Sequence, residues 1–309
     1  MSGGLVFLFP GQGSQSVGMG MSFFQSSPLA RRRAEEACDA LGFDMLKLIA
    51  EGPEEELRLT ANTQPALLLV SAVVYEALQE AKGIAPKAVA GHSLGEFSAC
   101  FAAGALSFTD AIKLVRKRGE LMQSSVPAGE GGMAAIIGLT PEDVARVCAE
   151  AGGSVAPANF NSPEQTVIAG AAGDMQKTMD ALKSAGAKKL VPLQVSAPFH
   201  TSFMAPAREG LAEYMKTVEV RDPKIPIIRN VDAGLSVTAQ DVRDGLIKQV
   251  TGCVRWVDSM KTLPGLGVTK ALELGAGKVL AGLMKRIDKN IEAISIGSVE
   301  DLNRAMEAL

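Results

Sequence analysis

The first apolar segment of the chain is the continuous run Leu5-Val6-Phe7-Leu8-Phe9, a pattern typical of a strand buried on both faces. A glycine-rich loop follows over 10–15, and apolar residues then recur at helical spacing over 28–41 and 63–80. A second apolar run, Ala88-Val89-Ala90, predicts another buried strand. Strands that alternate with helices predict a parallel sheet covered on both faces, with ligands bound beyond the carboxyl ends of the strands.

The pattern changes after Gly132, where short strands replace the long helices. The spacing predicts strands at 133–137, 155–159, 166–169 and 188–193, with helices at 141–151 and 172–185. Strand, helix, strand, strand, helix, strand is the order of a ferredoxin-like unit. We expect a small inserted unit, entered through the flexible segment 127–132 and left near Ser196.

The remainder of the chain resumes the alternation of strands and helices. Strands are predicted at 225–228 and 270–274, and helices at 239–250, 256–263 and 277–287. The predicted fold is therefore α/β, with a large hydrolase-like subdomain that contains a parallel sheet and an inserted small ferredoxin-like subdomain. The predicted boundaries are 1–127 and 197–309 for the large subdomain and 128–196 for the insertion.

Composition describes an ordinary soluble protein. The chain has 309 residues, of which 47% are hydrophobic and 21% charged, and its net charge of -3 gives no reason to expect nucleic acid as a partner. The four cysteines are scattered without a CxxC pair, which argues against a disulfide framework or a zinc site. Two histidines in unlike contexts also argue against a metal centre, so we expect no bound metal.

Targeting signals are not predicted. The amino terminus lacks a basic start, and the apolar stretch that follows is too short for a signal peptide. The longest apolar run, 66–74, is interrupted by Ser71 and is too short to span a membrane. We expect a cytoplasmic protein without a membrane partner.

The segment Gly91-His92-Ser93-Leu94-Gly95 lies between a predicted strand and a predicted helix over 96–103. This is the pattern of a nucleophile elbow, in which a serine occupies a tight strand-to-helix turn between glycines. The structural alternative is that Ser93 caps the following helix. The strand and helix on either side favour the catalytic interpretation.

The chain contains only two histidines, which narrows the choice of a base for Ser93. His92 is adjacent to the serine and is expected to point to the other side of the turn. His200 is therefore the candidate base, in a loop between a predicted strand and helix where catalytic groups are often carried. The structural alternative is a neighbour of a helix N-cap, or a histidine that is partly buried with its hydrogen bonds satisfied.

Several motifs in order along the chain resemble the malonyl-CoA:acyl carrier protein transacylases of bacterial fatty-acid synthesis. They are Phe9-Pro10-Gly11-Gln12-Gly13-Ser14-Gln15, Thr63-Gln64-Pro65-Ala66, Gly91 to Glu96, Arg118-Gly119, Asn159-Phe160-Asn161-Ser162-Pro163, Pro198-Phe199-His200 and Gly275 to Leu280. Together they cover nearly the whole chain, and a set of motifs in the correct order is more specific than any single one.

The resemblance implies that Ser93 is the nucleophile and His200 its general base and acid. It also implies that main-chain carbonyls orient the histidine, one of them from Gln249, so that no triad carboxylate is needed. The backbone amides of Leu94 and Gln12 would form the oxyanion hole, and an elbow supplies the first of these donors in any case. Cys253 stands where the family usually has proline, which leaves the backbone geometry near Gln249 less certain.

Substrate recognition is likewise implied by the resemblance. Arg118 would bind the malonyl carboxylate, because a guanidinium offers two parallel charge-assisted hydrogen bonds that an acetyl group cannot use. Without the resemblance, a surface arginine on the helix predicted over 109–126 would be the favoured interpretation. Phe199 matches members that select malonyl groups, and Asn161 is a further candidate for substrate binding.

The implied reaction is transfer of malonyl from malonyl-CoA to the phosphopantetheine thiol of acyl carrier protein, through a malonyl-serine intermediate and ping-pong kinetics. The implied enzyme has no permanently bound cofactor and is a monomer. Three alternatives stay open at this point. They are a trans-acting malonyltransferase for a polyketide synthase, a serine esterase or thioesterase, and a noncatalytic scaffold that binds the carrier.

Overall fold

The computed structural model describes residues 4–127, 129–193, 195 and 197–309. Six strands form the larger of two sheets: β1 Gly4–Phe9, β2 Ala88–Gly91, β7 Ile227–Ile228, β8 Leu235–Ser236, β9 Val268–Leu274 and β10 Glu292–Ile296. Their order is β10-β9-β1-β2-β7-β8, and every neighbouring pair is parallel except β7 and β8. The predicted parallel sheet is confirmed, with one short antiparallel strand added at its edge.

The helices of the large subdomain surround this sheet. They are α1 Met21–Ser26, α2 Pro28–Leu41, α3 Met45–Glu51, α4 Glu54–Arg58, α5 Thr60–Lys82, α6 Gly95–Ala102, α7 Phe108–Ser124, α10 Ala205–Tyr214, α11 Ala239–Gln249, α12 Trp256–Lys261, α13 Val279–Ile287 and α14 Val299–Ala308. Short 3-10 turns lie at Ser202–Met204, Met215–Thr217 and Pro264–Leu266. Among the described residues, no helix is both long enough and apolar enough to cross a membrane.

Alternate residues of β1 enter two separate hydrophobic cores. Phe7 and Phe9 pack in a core with residues of α5 and α7, whereas Val6 and Leu8 pack in another core with residues of α12 and α13. A strand with helices on both faces needs an apolar side chain at every position, which is the reason for the continuous run at the start of the sequence.

The second sheet is antiparallel and contains β3 Gly131–Ile137, β4 Ala156–Ser162, β5 Gln165–Ala171 and β6 Lys189–Pro192. Its order is β4-β5-β3-β6, and it packs with α8 Pro141–Ala151 and α9 Ala172–Ser184 around a core of its own. This arrangement confirms the predicted fold class. The predicted subdomain boundaries stay a prediction, and Ala128 and Ser196, the ends of the predicted insertion, lie outside the described residues.

Backbone hydrogen bonds from β4 connect the small sheet to the large subdomain. The carbonyl of Ala158 in β4 accepts the amide of Val254, and the amide of Phe160 donates to the Val254 carbonyl, at 2.8 Å each. Val254 lies between α11 and α12 of the large subdomain. The small sheet therefore contacts the loop that follows Gln249, and this contact brings β4 to the edge of the large sheet where the elbow lies.

Candidate active site

Ser93 lies in the tight turn between β2 and α6, with its backbone in the left-handed region at a φ of 51°. Non-glycine residues adopt this conformation at a cost of about 1–3 kcal/mol, and such residues concentrate at functional sites. The turn needs its two glycines because a Cβ on Gly91 would lie 1.9 Å from the Gly95 carbonyl carbon. A Cβ on Gly95 would lie 2.0 Å from the Phe9 carbonyl oxygen.

Asn230 holds the elbow from the neighbouring strand. Its side-chain oxygen accepts the amide of Ser93 at 2.7 Å, and its side-chain nitrogen donates to the carbonyl of Gly91 at 2.7 Å. The residue is fully buried and follows β7, at the carboxyl end of a parallel strand. The motifs in the sequence did not identify Asn230, although its position after an apolar strand is where site residues of such sheets are found.

The Oγ atom of Ser93 lies 2.7 Å from Nε2 of His200. On the other side of the ring, Nδ1 lies 3.0 Å from the carbonyl oxygen of Gln249 and 3.2 Å from that of Gly252. Carbonyl oxygens can only accept, so the proton of a neutral ring belongs on Nδ1, and Nε2 is free to accept from the serine hydroxyl. The Gln249 carbonyl lies within hydrogen-bond distance of the ring, as does that of Gly252, and the role of His200 as the base stays a prediction.

His200 is held neutral by its surroundings. Burial and, to a smaller extent, the nearby charge of Arg118 together lower its pKa to about 3, against the opposing effects of the Gln249 and Gly252 carbonyls. A neutral imidazole is the form that can accept a proton from serine. The backbone of His200 is also left-handed, at a φ of 60°, so both members of the pair occupy uncommon conformations.

The backbone amides of Leu94 and Gln12 are the predicted donors of an oxyanion hole. Within the described residues, neither the amide of Leu94 nor that of Gln12 donates a hydrogen bond to a protein acceptor. Leu94 directly precedes α6, and Gln12 lies in the loop after β1, where its side chain donates to the hydroxyl of Thr60 at 3.1 Å. Free amides next to the nucleophile are the groups that stabilise a developing oxyanion. Their assignment stays a prediction.

Arg118 is buried, with 2% of its surface exposed, and does not lie on the outer face of its helix. Its guanidinium donates to the side-chain oxygens of Gln64 and Gln249 at 2.8 Å each, and to Oγ of Ser93 at 3.2 Å. Its Nε atom has no hydrogen-bond partner among the described residues. Burial lowers the pKa of Arg118 to about 10, so the group is still cationic at neutral pH.

A cavity of about 360 Å³ opens above the serine. Five predicted site residues contribute to its lining: Gln12, Ser93, Arg118, Phe199 and His200. Met122 and Met133 add apolar surface to the lining. Within the described part of the chain, no group of three or more His, Cys, Asp or Glu side chains is placed to hold a metal ion.

Asn161 contacts the site through His92. Its side-chain oxygen lies 2.8 Å from Nε2 of His92, whose ring packs against Trp256 with the centroids 5.4 Å apart. The described lining of the cavity includes Asn159 and not Asn161, so a role of Asn161 in substrate binding stays a prediction. His92 bonds away from the serine hydroxyl, as expected from its place in the turn.

Cys253 lies in the loop that follows Gln249. The Gln249 carbonyl still accepts from His200, and burial raises the pKa of the Cys253 thiol to about 12. The thiol is therefore uncharged at neutral pH, and its Sγ atom lies 3.9 Å from the carbonyl oxygen of Val254.

Known proteins resemble this chain along its whole length. The acyl transferase domain family matches residues 6–263. A malonyl CoA-acyl carrier protein transacylase of Bacillus subtilis is 44% identical over 308 residues, which cover 99% of this chain and 97% of the relative.

Solved structures give the same result. A crystal structure of an acyl carrier protein S-malonyltransferase from Vibrio cholerae is 43% identical, covers 97% of this chain and 99% of its own, and has a TM-score of 0.95. A malonyl-transacylase in complex with its type II PKS acyl-carrier protein is also 43% identical, covers 99% of this chain and 100% of its own, and has a TM-score of 0.96.

Proposed function

We propose, from the premise that this chain belongs to the malonyl CoA-acyl carrier protein transacylases, that Ser93 and His200 carry a malonyl group between two thiols. The resemblance seen in the motifs is confirmed, and the enzyme is an acyl carrier protein S-malonyltransferase of fatty-acid biosynthesis. The observation that carries the proposed mechanism is the 2.7 Å contact between the Ser93 hydroxyl and Nε2 of His200.

The first half of the reaction forms an acyl-enzyme. The Ser93 oxygen attacks the thioester carbon of malonyl-CoA while its proton passes to Nε2 of His200. The amides of Leu94 and Gln12 donate to the oxyanion of the tetrahedral intermediate. The carbon–sulfur bond then breaks, and the coenzyme A thiolate takes the proton from the imidazolium.

The second half reverses these steps with another thiol. The phosphopantetheine thiol of acyl carrier protein gives its proton to His200 and attacks the ester carbon. The bond to the Ser93 oxygen breaks, and the serine takes the proton back. One site serves both thiols in turn, so the kinetics are ping-pong, and proton transfers between Ser93 and His200 require no bound cofactor.

Arg118 selects the malonyl group. Its guanidinium lies 3.2 Å from the Ser93 hydroxyl, so an acyl group on the serine would extend past the cation. A malonyl carboxylate there receives charge-assisted hydrogen bonds and neutralises a buried positive charge. Phe199 limits the space beside the acyl carbon, which is consistent with an unbranched group. Asn161 acts through His92 by orienting the elbow.

A type II polyketide carrier is the second candidate partner, because the transacylase of the PKS complex is as similar to this chain as the Vibrio cholerae enzyme. Transfer to a purified fatty-acid carrier and to a PKS carrier, compared at equal concentrations, distinguishes the two. We further propose that the enzyme acts as a monomer in the cytoplasm. Sedimentation and cell fractionation test these two points.

The mechanism is tested by mass spectrometry. Incubation with malonyl-CoA should add one malonyl group to Ser93, and addition of the carrier protein should move that group to the carrier thiol. Ser93→Ala should remove the adduct. Release of mostly free malonate in the presence of carrier would favour a thioesterase instead, and failure to form the adduct would favour a noncatalytic carrier-binding protein.

A further inference from the structure

Glu96 is a buried carboxylate beneath the site that the proposed chemistry does not use. It lies in the first turn of α6, with 2% of its surface exposed. Its Oε2 atom accepts from Nε2 of Gln249 at 2.7 Å and from the backbone amide of Asn230 at 3.1 Å. Burial of a carboxylate is costly unless it is paired with opposite charge and hydrogen bonds. A buried Glu96 therefore needs a nearby cation.

The side-chain amide of Gln249 joins Glu96 to Arg118. Its nitrogen donates to Glu96 and to the Ser93 carbonyl, and its oxygen accepts from Arg118 at 2.8 Å. A carboxylate can only accept and a guanidinium can only donate, so this orientation of the amide satisfies both charged groups. The three residues form a continuous buried chain from the carboxylate to the cation.

Arg118 has no other acidic partner of this kind. Among the described residues it makes no direct salt bridge, and Glu96 is the acidic group whose field raises its pKa against the effect of burial. In the absence of substrate, the buried pair therefore carries no net charge when Glu96 is ionised. A bound malonyl carboxylate would place a second negative charge next to the guanidinium of Arg118.

We propose that Glu96 is a specificity-determining residue, because its carboxylate competes with the malonyl carboxylate for the charge of Arg118. This inference rests on the proposed function. A neutral acyl group such as acetyl does not enter the competition, so Glu96 lowers the preference of the site for malonyl over acetyl. The effect is electrostatic and acts through Gln249, without contact between Glu96 and the substrate.

Protonation of Glu96 relieves the competition. Burial raises its pKa to about 7, against the opposing effects of Gln249, Asn230, Arg118 and Arg229. Cys100 on the same helix stays a neutral thiol, because burial and Glu96 raise its pKa. Glu96 is thus uncharged at low pH and gains its charge as the pH rises through about 7. The malonyl preference of the wild-type enzyme should fall over that range.

Glu96→Gln removes the charge and keeps the hydrogen bonds. Both of them end on one carboxylate oxygen, which an amide oxygen can replace. At pH 8 we expect the ratio of kcat/KM for malonyl-CoA to that for acetyl-CoA to rise on the order of tenfold above the wild-type ratio. Protonation of His200 changes the rate with both thioesters alike, so its effect cancels in the ratio. It should be independent of pH in the variant and fall from pH 6 to 8.5 in the wild type.

Glu273→Gln is the control for loss of a buried carboxylate, since Glu273 is 1% exposed and accepts from the amides of Leu280 and Ala281 and the hydroxyl of Ser295 rather than from site residues. Its bonds end on both carboxylate oxygens, so the variant loses at least one of them, and its thermal unfolding is measured beside the acyl ratio. It should leave the acyl ratio and its pH dependence unchanged. The inference is overturned if Glu96→Gln leaves the ratio at the wild-type value. If that variant does not fold, a wild-type ratio that is independent of pH overturns it equally. Absence of a malonyl adduct on wild-type Ser93 would instead overturn the proposed function.

Discussion

The hydroxyl of Ser93 lies 2.7 Å from Nε2 of His200, although 107 residues separate the two along the chain. The elbow after β2 positions the serine, and the carbonyls of Gln249 and Gly252 orient the ring. No carboxylate contacts the ring nitrogens within the described residues. The ring of His200 is therefore oriented by neutral acceptors, and burial and the charge of Arg118 set its pKa.

Replacement of His200 tests its proposed role as the base. His200→Ala should lower kcat/KM for malonyl transfer by about 10²–10⁴-fold, because the serine loses its proton acceptor while the amides beside it are kept. Formation of the malonyl-serine adduct, followed by quenched-flow mass spectrometry, measures the step directly. His92→Ala is the comparison, and its smaller loss is expected because His92 bonds to Asn161. Equal losses in the two variants would contradict the assignment of the base.

The low pKa of His200 also predicts how stability depends on pH. The folded state keeps the ring neutral down to about pH 3, whereas the unfolded chain binds a proton below about pH 6.5. The unfolded state therefore binds more protons between these values, and stability falls as the pH falls from about 6.5 towards 3. Between pH 7 and pH 5 this residue should lower the free energy of unfolding by about 2 kcal/mol.

Comparison with His200→Gln isolates that contribution. Urea unfolding at pH 7 and pH 5 should give a smaller loss in the variant than in the wild type, by about 2 kcal/mol. His92 is present in both proteins, and burial lowers its pKa as well, so its contribution cancels in the difference. Identical pH dependence in the two proteins would mean that His200 titrates normally in the folded state.

Removal of Arg118 should change substrate choice more than overall chemistry. Arg118→Ala should lower kcat/KM for malonyl-CoA by about 10²-fold and spare or improve that for acetyl-CoA, because only malonyl carries a carboxylate. Arg118→Lys should give an intermediate value, since an ammonium keeps the charge and loses the paired donors. Initial rates with both thioesters measure the ratio. An equal loss for both would mean that Arg118 only supports the structure.

Local sequence patterns predicted most of the strands and longer helices, because these elements bury continuous or periodic apolar faces, but not α10, α14 or β8. The helix at Pro28–Leu41 begins and ends where its pattern indicated. The patterns did not predict short elements such as Met21–Ser26 and Glu54–Arg58, which have too few residues to show a period. They also missed β10, an edge strand of five residues that is mostly only partly buried.

The residues of the site likewise divide into those that the local sequence indicates and those that it does not. The elbow is encoded locally, by two glycines around Ser93, and the scarcity of histidine pointed to His200. The supports are encoded by contacts between distant segments. Asn230 lies 137 residues from the serine amide that it accepts, and Glu96 lies 153 residues from the Gln249 amide that it binds. Asn230 belongs to none of the motifs, and the motif that ends at Glu96 does not indicate its contact with Gln249, so the tertiary fold was required to identify both contacts.

The close packing of the elbow gives a last prediction, on stability. Gly95→Ala should destabilise the protein by more than about 3 kcal/mol or prevent folding, because the added methyl group would lie 2.0 Å from the backbone oxygen of Phe9 in a buried strand. Backbone atoms of the central strand cannot move aside without loss of the sheet.

Gly282→Ala is the control, since Gly282 is an exposed residue of α13 with no neighbouring atom within 4 Å of the new Cβ. It should stabilise the helix by about 0.5–1 kcal/mol. Thermal unfolding of both variants measures the difference, and similar stability of the two would show that the turn between β2 and α6 can open to admit a side chain.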